Sequence, residues 1–169
     1  GVMFVVLLAL HGASFLVMKT RGELQAKAEA LAKPVTVVLV LLLVAVVMAL
    51  PSVQPAFGAH YAGAPIGYVW PLTAVVLLVV RYLSAGRQRP FVGFVASSLL
   101  VASLLVAAAW GIFPNLLIAT TGQTNSLTTL NAATDRTGLE AGLWWVPPGL
   151  LLVIFYQVYI HRLFAGPVR

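Results

Sequence analysis

The sequence lacks cysteine altogether, and this absence excludes disulfides, thiolate metal sites, iron–sulfur clusters and thiol catalysis. Charged residues are also scarce: they make up 8% of the 169 residues, whereas a soluble domain has about a quarter. Hydrophobic residues account for 61% of the chain, and the mean hydropathy is +1.01. Together these values indicate an integral membrane protein.

The net charge of +6 would suit a nucleic-acid-binding protein, but the distribution of the charges argues against one. The basic residues stand at the ends of apolar runs, where such residues orient membrane proteins. We therefore expect no nucleic-acid partner. The sequence also contains no P-loop, no GxGxxG fingerprint and no Ser–His–Asp set.

Five apolar runs are separated by polar or proline-rich breaks: Gly1–Met18, about Pro34–Val53, about Pro65–Tyr82, Phe91–Phe113 and about Leu139–Leu163. The runs are continuous rather than alternating, which favours helices over membrane-spanning strands. We predict an all-α fold, a polytopic transmembrane helical bundle of about five spans that forms a single domain over residues 1–169. No initiator methionine or cleavage site precedes the first run, so we expect it to be the tail of a helix that began upstream in a longer polypeptide.

The charges predict the orientation of these spans. Nine of the ten basic residues fall on one side if the spans alternate, and only Arg136 falls on the other. Positive-inside bias then makes the nine-charge side, and the carboxyl terminus with it, cytoplasmic. All four tryptophans stand at the outer ends of runs, where an interfacial aromatic belt is expected: Trp70, Trp110, Trp144 and Trp145.

Two segments, Thr20–Glu23 and Thr137–Glu140, fit the T-x-x-E capping box and predict helix starts there. After the first box, two charge pairs stand at i,i+4 spacing on what we expect to be a short solvated helix: Glu23 with Lys27, and Glu29 with Lys33. That helix should end before Pro34, which suits the first turn of the second span. The outer loop from Pro114 to Thr137 is the longest polar segment, and loops of this length often have a function.

One titratable residue, His11, falls inside a span. It stands eight residues before Lys19, roughly 12 Å from the inner boundary and close to the middle of the bilayer. A buried ionisable group at this depth is a candidate proton- or quinone-site residue. The alternative is a structural imidazole hydrogen-bonded to another helix, which we favour because no carboxylate lies inside a span to complete a relay.

Haem ligation by His11 is a further alternative, because histidine and methionine are common axial ligands. Met18 lies on the same helix and cannot serve the opposite face of a haem, and Met48 is at the wrong depth. His60 falls in the outer loop and His161 at the inner end of the fifth run. We therefore predict no catalytic, cofactor-binding or metal-binding residues in this chain.

The fourth run contains two sets of small residues at four-residue spacing, which let helix backbones approach closely: Gly93 with Ser97, and Ser103 with Ala107 and Gly111. We interpret them as a packing surface. The second run is almost pure Val and Leu and should face lipid. Pro147 and Pro148 should kink the fifth helix.

Four blocks of this sequence, in order, resemble subunit II of the cytochrome bd-type ubiquinol oxidases. They are HGASFLVMKTRGELQAKA at 11–28, RPFVGFVASSLL at 89–100 running on through Trp110 into FPNLL, NSLTTLNAATDRTGL at 125–139, and YQVYIHRLFAG at 156–166. The resemblance covers nearly the whole chain. It corresponds to the carboxyl-terminal half of an eight-helix subunit, from the middle of helix four onward.

This resemblance implies a respiratory complex in a bacterial plasma membrane that oxidises quinol and reduces oxygen to water. In that family the b-type and d-type haems belong to subunit I. Subunit II is its haem-free partner, needed for haem insertion or stability, and small accessory subunits can join the heterodimer. The proton-conducting acid of subunit II lies in its amino-terminal half and has no counterpart here.

Two positions depart from the family's pattern. His11 stands where an amide or another polar residue is expected, and Asp135–Arg136 replaces a serine-rich or proline-containing stretch. A second hypothesis remains open on the residues alone. A fragment of a secondary transporter would also combine a midplane polar group with a broken helix.

Overall fold

The computed structural model describes residues 1–86, 89–119, 125–164 and 166 of the chain. In this part of the chain the helices are α1 (Val2–Lys19), α2 (Glu23–Val53), α3 (Pro55–Gly63), a short 3-10 helix (Pro65–Tyr68), α4 (Val69–Gly86), α5 (Pro90–Ile112) and α6 (Arg136–Leu163). Two short strands, β1 (Asn115–Leu117) and β2 (Leu127–Thr128), lie between α5 and α6. Arg87 and Arg169, which the orientation prediction counts, lie outside the described residues.

Five helical segments are long and apolar enough to cross a membrane: Val2–Lys19, Glu23–Val53, Pro65–Ala85, Pro90–Ile112 and Arg136–Leu163. They correspond one to one to the five apolar runs, so the predicted all-α multi-span fold is confirmed. The described residues divide into two compact units, Gly1–Phe113 and Pro114–Gly166.

The first unit has a core shared by its four membrane-length helices. Its buried side chains are Leu7, Leu10 and Ala13 of α1, Ala32 and Leu39 of α2, Ala74 and Leu78 of α4, and Leu100 of α5. α5 packs against α1, α3 and α4, and α1 also packs against α2. All five small residues of the fourth run are buried, which confirms their predicted packing role.

The face of α2 that does not contact α1 is exposed, as its Val/Leu composition predicts; Leu41 is 64% and Met48 is 76% exposed. The start of this helix corrects two predictions. Thr20 caps no helix, because its Oγ1 donates instead to Leu16 O at 2.7 Å, and α2 begins at Glu23 without a side-chain cap. Pro34 lies inside α2 rather than at a helix start. Helix propensity in the preceding Ala, Gln, Glu and Lys residues offsets the cost of the proline.

The second unit consists of an antiparallel hairpin and one long helix. β1 pairs with β2, and Thr129 N donates to Pro114 O at 2.9 Å beside them. These strands lie in the predicted outer loop, where no strand was expected. The predicted cap of α6 is also wrong: Asp135, not Thr137, is the N-cap, and its carboxylate accepts from Gly138 N at 3.2 Å. α6 continues through Pro147 and Pro148.

Candidate functional site

His11 projects from α1 towards α5. Its Nδ1 lies 3.0 Å from Ser97 Oγ, and its ring stacks on Phe94 with 5.3 Å between the ring centroids. Ser97 Oγ itself donates to Phe94 O at 2.7 Å. A serine hydroxyl has one proton, and Ser97 gives it to Phe94 O. The Ser97 oxygen therefore accepts a hydrogen bond from Nδ1 of His11, and Nε2 takes no part in this contact. The contact is therefore a hydrogen bond between two helices in the middle of the span.

Met48 and His60 lie on different helices from His11. The imidazole is flanked by Phe94, and the exposed Met48 lies on another helix, near the far end of its span. His60 packs edge-on against Trp110 and Phe113, at centroid distances of 5.8 Å and 5.7 Å. The described part of the chain contains no group of three or more His, Asp or Glu side chains that could hold a metal ion.

The most deeply buried charge belongs to Arg81, near the end of α4, which is 3% exposed. Its Nε donates to Ser14 Oγ of α1 at 2.7 Å, and Ser14 Oγ in turn donates to Leu10 O at 2.7 Å. Its Nη1 lies 3.5 Å from Oε1 of Glu29 on α2. One guanidinium thus connects three helices.

The ion pair between Arg81 and Glu29 is incomplete. The two atoms are within ion-pair distance but form no hydrogen bond, and Glu29 Oε1 has no hydrogen-bond partner among the described residues. Arg81 Nη2 is also buried without a partner there. Leaving such a donor unpaired costs about 1–3 kcal/mol, and more for a charged group.

A cavity of about 440 Å³ opens beside this pair. Its walls come from the carboxyl ends of α1 and α4 and the amino ends of α2 and α5, and they include Arg21, Glu29, Arg81 and Arg89. Arg21 and Arg89 are exposed, whereas Arg81 is at the buried end. No histidine or methionine is among the described residues that line it, so this cavity also lacks a haem ligand.

The sequence predicts these residues only as separate boundary charges. The spacing predicts a pair between Glu29 and Lys33 on one helix, but Glu29 faces Arg81 of α4 instead. The other predicted pair, Glu23 with Lys27, forms at 2.6 Å. A signal for the buried role of Arg81 was present: Tyr82 and Leu83 follow it, so Arg81 stands before the apolar run ends rather than after it. Ser14 carried no comparable signal.

A second polar group lies at the other end of α5, among aromatic side chains. Tyr61 of α3 is buried, and its hydroxyl donates to Ala107 O at 2.7 Å. Burial, and then the neighbouring Tyr68, raise the pKa of Tyr61 above its ordinary value. Gly67 lies against the Trp110 indole so closely that a Cβ would overlap it, and Trp110 Nε1 is buried without a described partner.

Comparison with known proteins gives a consistent result. A family model described as cytochrome bd terminal oxidase subunit II matches residues 1–164. The chain is 24% identical over 199 residues to subunit 2 of the cytochrome bd-I ubiquinol oxidase of Escherichia coli (strain K12), covering 99% of this chain and 51% of that protein. The same values hold for the subunits of E. coli O6:H1 and E. coli O157:H7. The chain thus spans about half the length of the curated relatives it matches.

Proposed function

Because the chain belongs to the family of cytochrome bd terminal oxidase subunit II, we propose that it is part of a respiratory complex that oxidises quinol and reduces oxygen to water. The observation that carries this proposal is the family match over residues 1–164, nearly the whole chain. Nothing as specific favours the transporter hypothesis, because a midplane histidine and a proline-containing helix are also compatible with an oxidase subunit.

Within such a complex, this chain would be a haem-free scaffold for the haem-bearing subunit I. Two observations support this role. His11 and His60 have aromatic rings as neighbours, Phe94 beside His11 and Trp110 and Phe113 beside His60. Among the described residues that line the cavity beside Arg81 there is no histidine or methionine. The b-type and d-type haems and the quinol site would then lie on the partner, and this chain would supply no catalytic residues.

We further propose that residues 1–169 form a single transmembrane domain in a bacterial inner membrane, with the carboxyl terminus in the cytoplasm. The charge distribution supports this orientation: Lys19 ends α1 and Arg21 follows it, Arg81 lies in the last part of α4, and Arg89 immediately precedes α5. The exposed apolar helix faces are available for lipid, for subunit I and for small accessory subunits.

Purification of the full-length protein with its native neighbours tests the proposal. We expect the preparation to show b-type and d-type haem bands in reduced-minus-oxidised spectra, and to consume oxygen when quinol is supplied. A preparation that contains the chain in a stable assembly but lacks both haem bands would contradict it. A strain without the chain should lose the haem bands from its membranes if the chain supports assembly of subunit I.

A further inference from the structure

The cavity at the inner ends of α1, α2, α4 and α5 has an excess of positive charge. Three arginines and one glutamate contribute to its walls, which gives a formal charge of +2: Arg21, Arg81, Arg89 and Glu29. Arginine is the side chain best suited to oxyanions, because its planar fork of N–H groups matches carboxylate and phosphate oxygens. The charge balance therefore favours an anionic occupant.

Backbone groups at the cavity point to the same kind of occupant. α2 and α5 both begin here, Gln25 and Pro90 of their first turns are among the lining residues, and neither helix has a side-chain cap. The positive dipole ends of two helices are suited to anions. The residues before these helices, Gly22 and Arg89, do not supply a capping oxygen from a side chain.

Three carbonyl groups at this end of the helices, which would attract a cation, already have donors. Leu16 O accepts from Thr20 N and Oγ1, and Val17 O accepts from Gln25 Nε2 at 2.9 Å. At the end of α4, Ser84 O accepts from Arg89 N at 3.1 Å. These three carbonyl groups are therefore already hydrogen-bonded within the chain.

The guanidinium of Arg81 provides an independent observation. It is 97% buried, it lines the cavity, and its Nη2 has no hydrogen-bond partner among the described residues. Glu29 does not complete its hydrogen bonding, because its Oε1 is 3.5 Å from Nη1 and forms no hydrogen bond. Arg81 therefore places a positive charge, with its hydrogen bonding incomplete, at the buried end of the cavity.

We propose that this cavity binds a phosphate group, with Arg81 at its base and Arg21 and Arg89 at its mouth. Its volume of about 440 Å³ is in the range of small-ligand sites. Two sources supply such a group: the headgroup of a membrane phospholipid, since the cavity lies where apolar spans end, and free phosphate from solution. The proposal does not depend on the oxidase function, because it concerns residues of this chain alone.

The full-length protein, purified in its native assembly and freed of lipid by detergent exchange, is the material for the test. One arm titrates inorganic phosphate by calorimetry at constant ionic strength. The other arm adds phosphatidylglycerol and counts the lipids retained by native mass spectrometry. Phosphate binding identifies a free-anion site, whereas retention of the lipid without phosphate binding identifies a headgroup site; either result supports the proposal.

Two variants then assign the binding to the cavity. The double change Arg21→Gln and Arg89→Gln should weaken binding of the effective probe at least about tenfold, the loss expected for one charge-assisted hydrogen bond. The matched control is Lys27→Gln, which removes one positive charge from an exposed position that does not line the cavity. It should leave the affinity within about twofold, as expected for a distant surface charge at moderate salt.

Glu29→Gln should change the affinity for the bound anion in the opposite direction. Removing this carboxylate should tighten binding severalfold if an anion sits against Arg81, because a repulsive charge disappears. If Glu29 is itself the only anion that Arg81 needs, the same change would lower stability and leave phosphate or lipid affinity unaltered, which would overturn the proposal. Failure of the wild-type assembly to bind either probe, or equal binding by the double variant, would also overturn it.

Discussion

Serine hydroxyls connect the buried polar side chains of the first unit to the helix backbones. Ser14 and Ser97 each donate to a carbonyl of their own helix, at residues Leu10 and Phe94. Each then accepts from a side chain on another helix, Arg81 in the first case and His11 in the second. In an apolar environment an unsatisfied hydroxyl is costly, so this double use lets the spans contain polar groups and still pack closely.

At the residue scale, His11→Gln should leave haem content and quinol-driven oxygen uptake of the purified complex close to wild type. The glutamine amide can still donate to Ser97 Oγ, so the contact between α1 and α5 is retained. His11→Leu removes that donor and should lower the free energy of unfolding by about 1 kcal/mol.

A large loss of turnover by the glutamine variant with a normal haem spectrum would contradict this prediction. It would show that the imidazole itself, rather than a hydrogen-bond donor, is required.

We expect Tyr61 to make the stability of the first unit sensitive to alkaline pH. Its pKa is raised above about 10 in the folded protein by burial and by Tyr68. A raised pKa means that its contribution to stability is fully present below the unfolded-state value and is lost as the pH rises through the folded-state value. The melting temperature of the wild type should therefore fall more steeply above pH 10 than that of Tyr61→Phe.

At pH 8 the same substitution should cost about 1 kcal/mol, because the hydrogen bond to Ala107 O is lost. Tyr82→Phe is the control, since Tyr82 is 57% exposed. Identical pH profiles for Tyr61→Phe and wild type would show that Tyr61 does not ionise in this way.

The sequence predicts which polar residues lie near the boundary but not which of them meet. His11 stands out because it interrupts an apolar run. Arg81 and Glu29 look like ordinary boundary charges, because the pair forms across helices and depends on their rotation and tilt. Such tertiary contacts have no period along the chain and no local spacing rule.

At the element scale, the five apolar runs predict the five membrane-length helices because hydrophobic length is a one-dimensional property. Details that depend on competition between local interactions are predicted less well. The Thr20 hydroxyl donates to the Leu16 carbonyl and does not cap α2. The N-cap of α6 is Asp135 and not the predicted Thr137. The β1–β2 hairpin was not predicted because its strands are three and two residues long, too short for an alternating pattern.

The close packing of α5 predicts a large effect from a small substitution. Gly111→Ala places a methyl group in the ring of Phe57, so we expect it to lower the free energy of unfolding by about 1–3 kcal/mol. The matched control is Gly12→Ala on α1, where a Cβ meets nothing within 4 Å. That change should stabilise the helix by up to about 1 kcal/mol.

Thermal unfolding of the two purified variants, followed by circular dichroism, measures the difference. Equal melting temperatures would mean that α3 does not pack on α5 through Phe57.

At the scale of the whole molecule, the distribution of basic residues is the main determinant of orientation. It predicts that the β2–α6 connection faces outward and that the start of α2 faces the cytoplasm. Single cysteines can test this, since no cysteine within these 169 residues competes for a label. Leu130 and Leu24 are suitable positions, being 87% and 53% exposed.

We expect a membrane-impermeant maleimide to label Leu130→Cys in intact spheroplasts and Leu24→Cys only after the membrane is permeabilised. The reverse pattern would place the carboxyl terminus outside. Labelling of both positions in intact cells would contradict an odd number of spans between them.

The tryptophans have a consequence for optical measurements. Trp144 and Trp145 are both 80% exposed on α6, whereas Trp110 is packed among His60 and neighbouring residues. Lipids with brominated acyl chains quench the fluorescence of indoles that they touch. The fluorescence of Trp144 and Trp145 will therefore be quenched where lipid surrounds α6 and preserved where another subunit covers this helix. These two tryptophans therefore report whether another subunit is bound at α6.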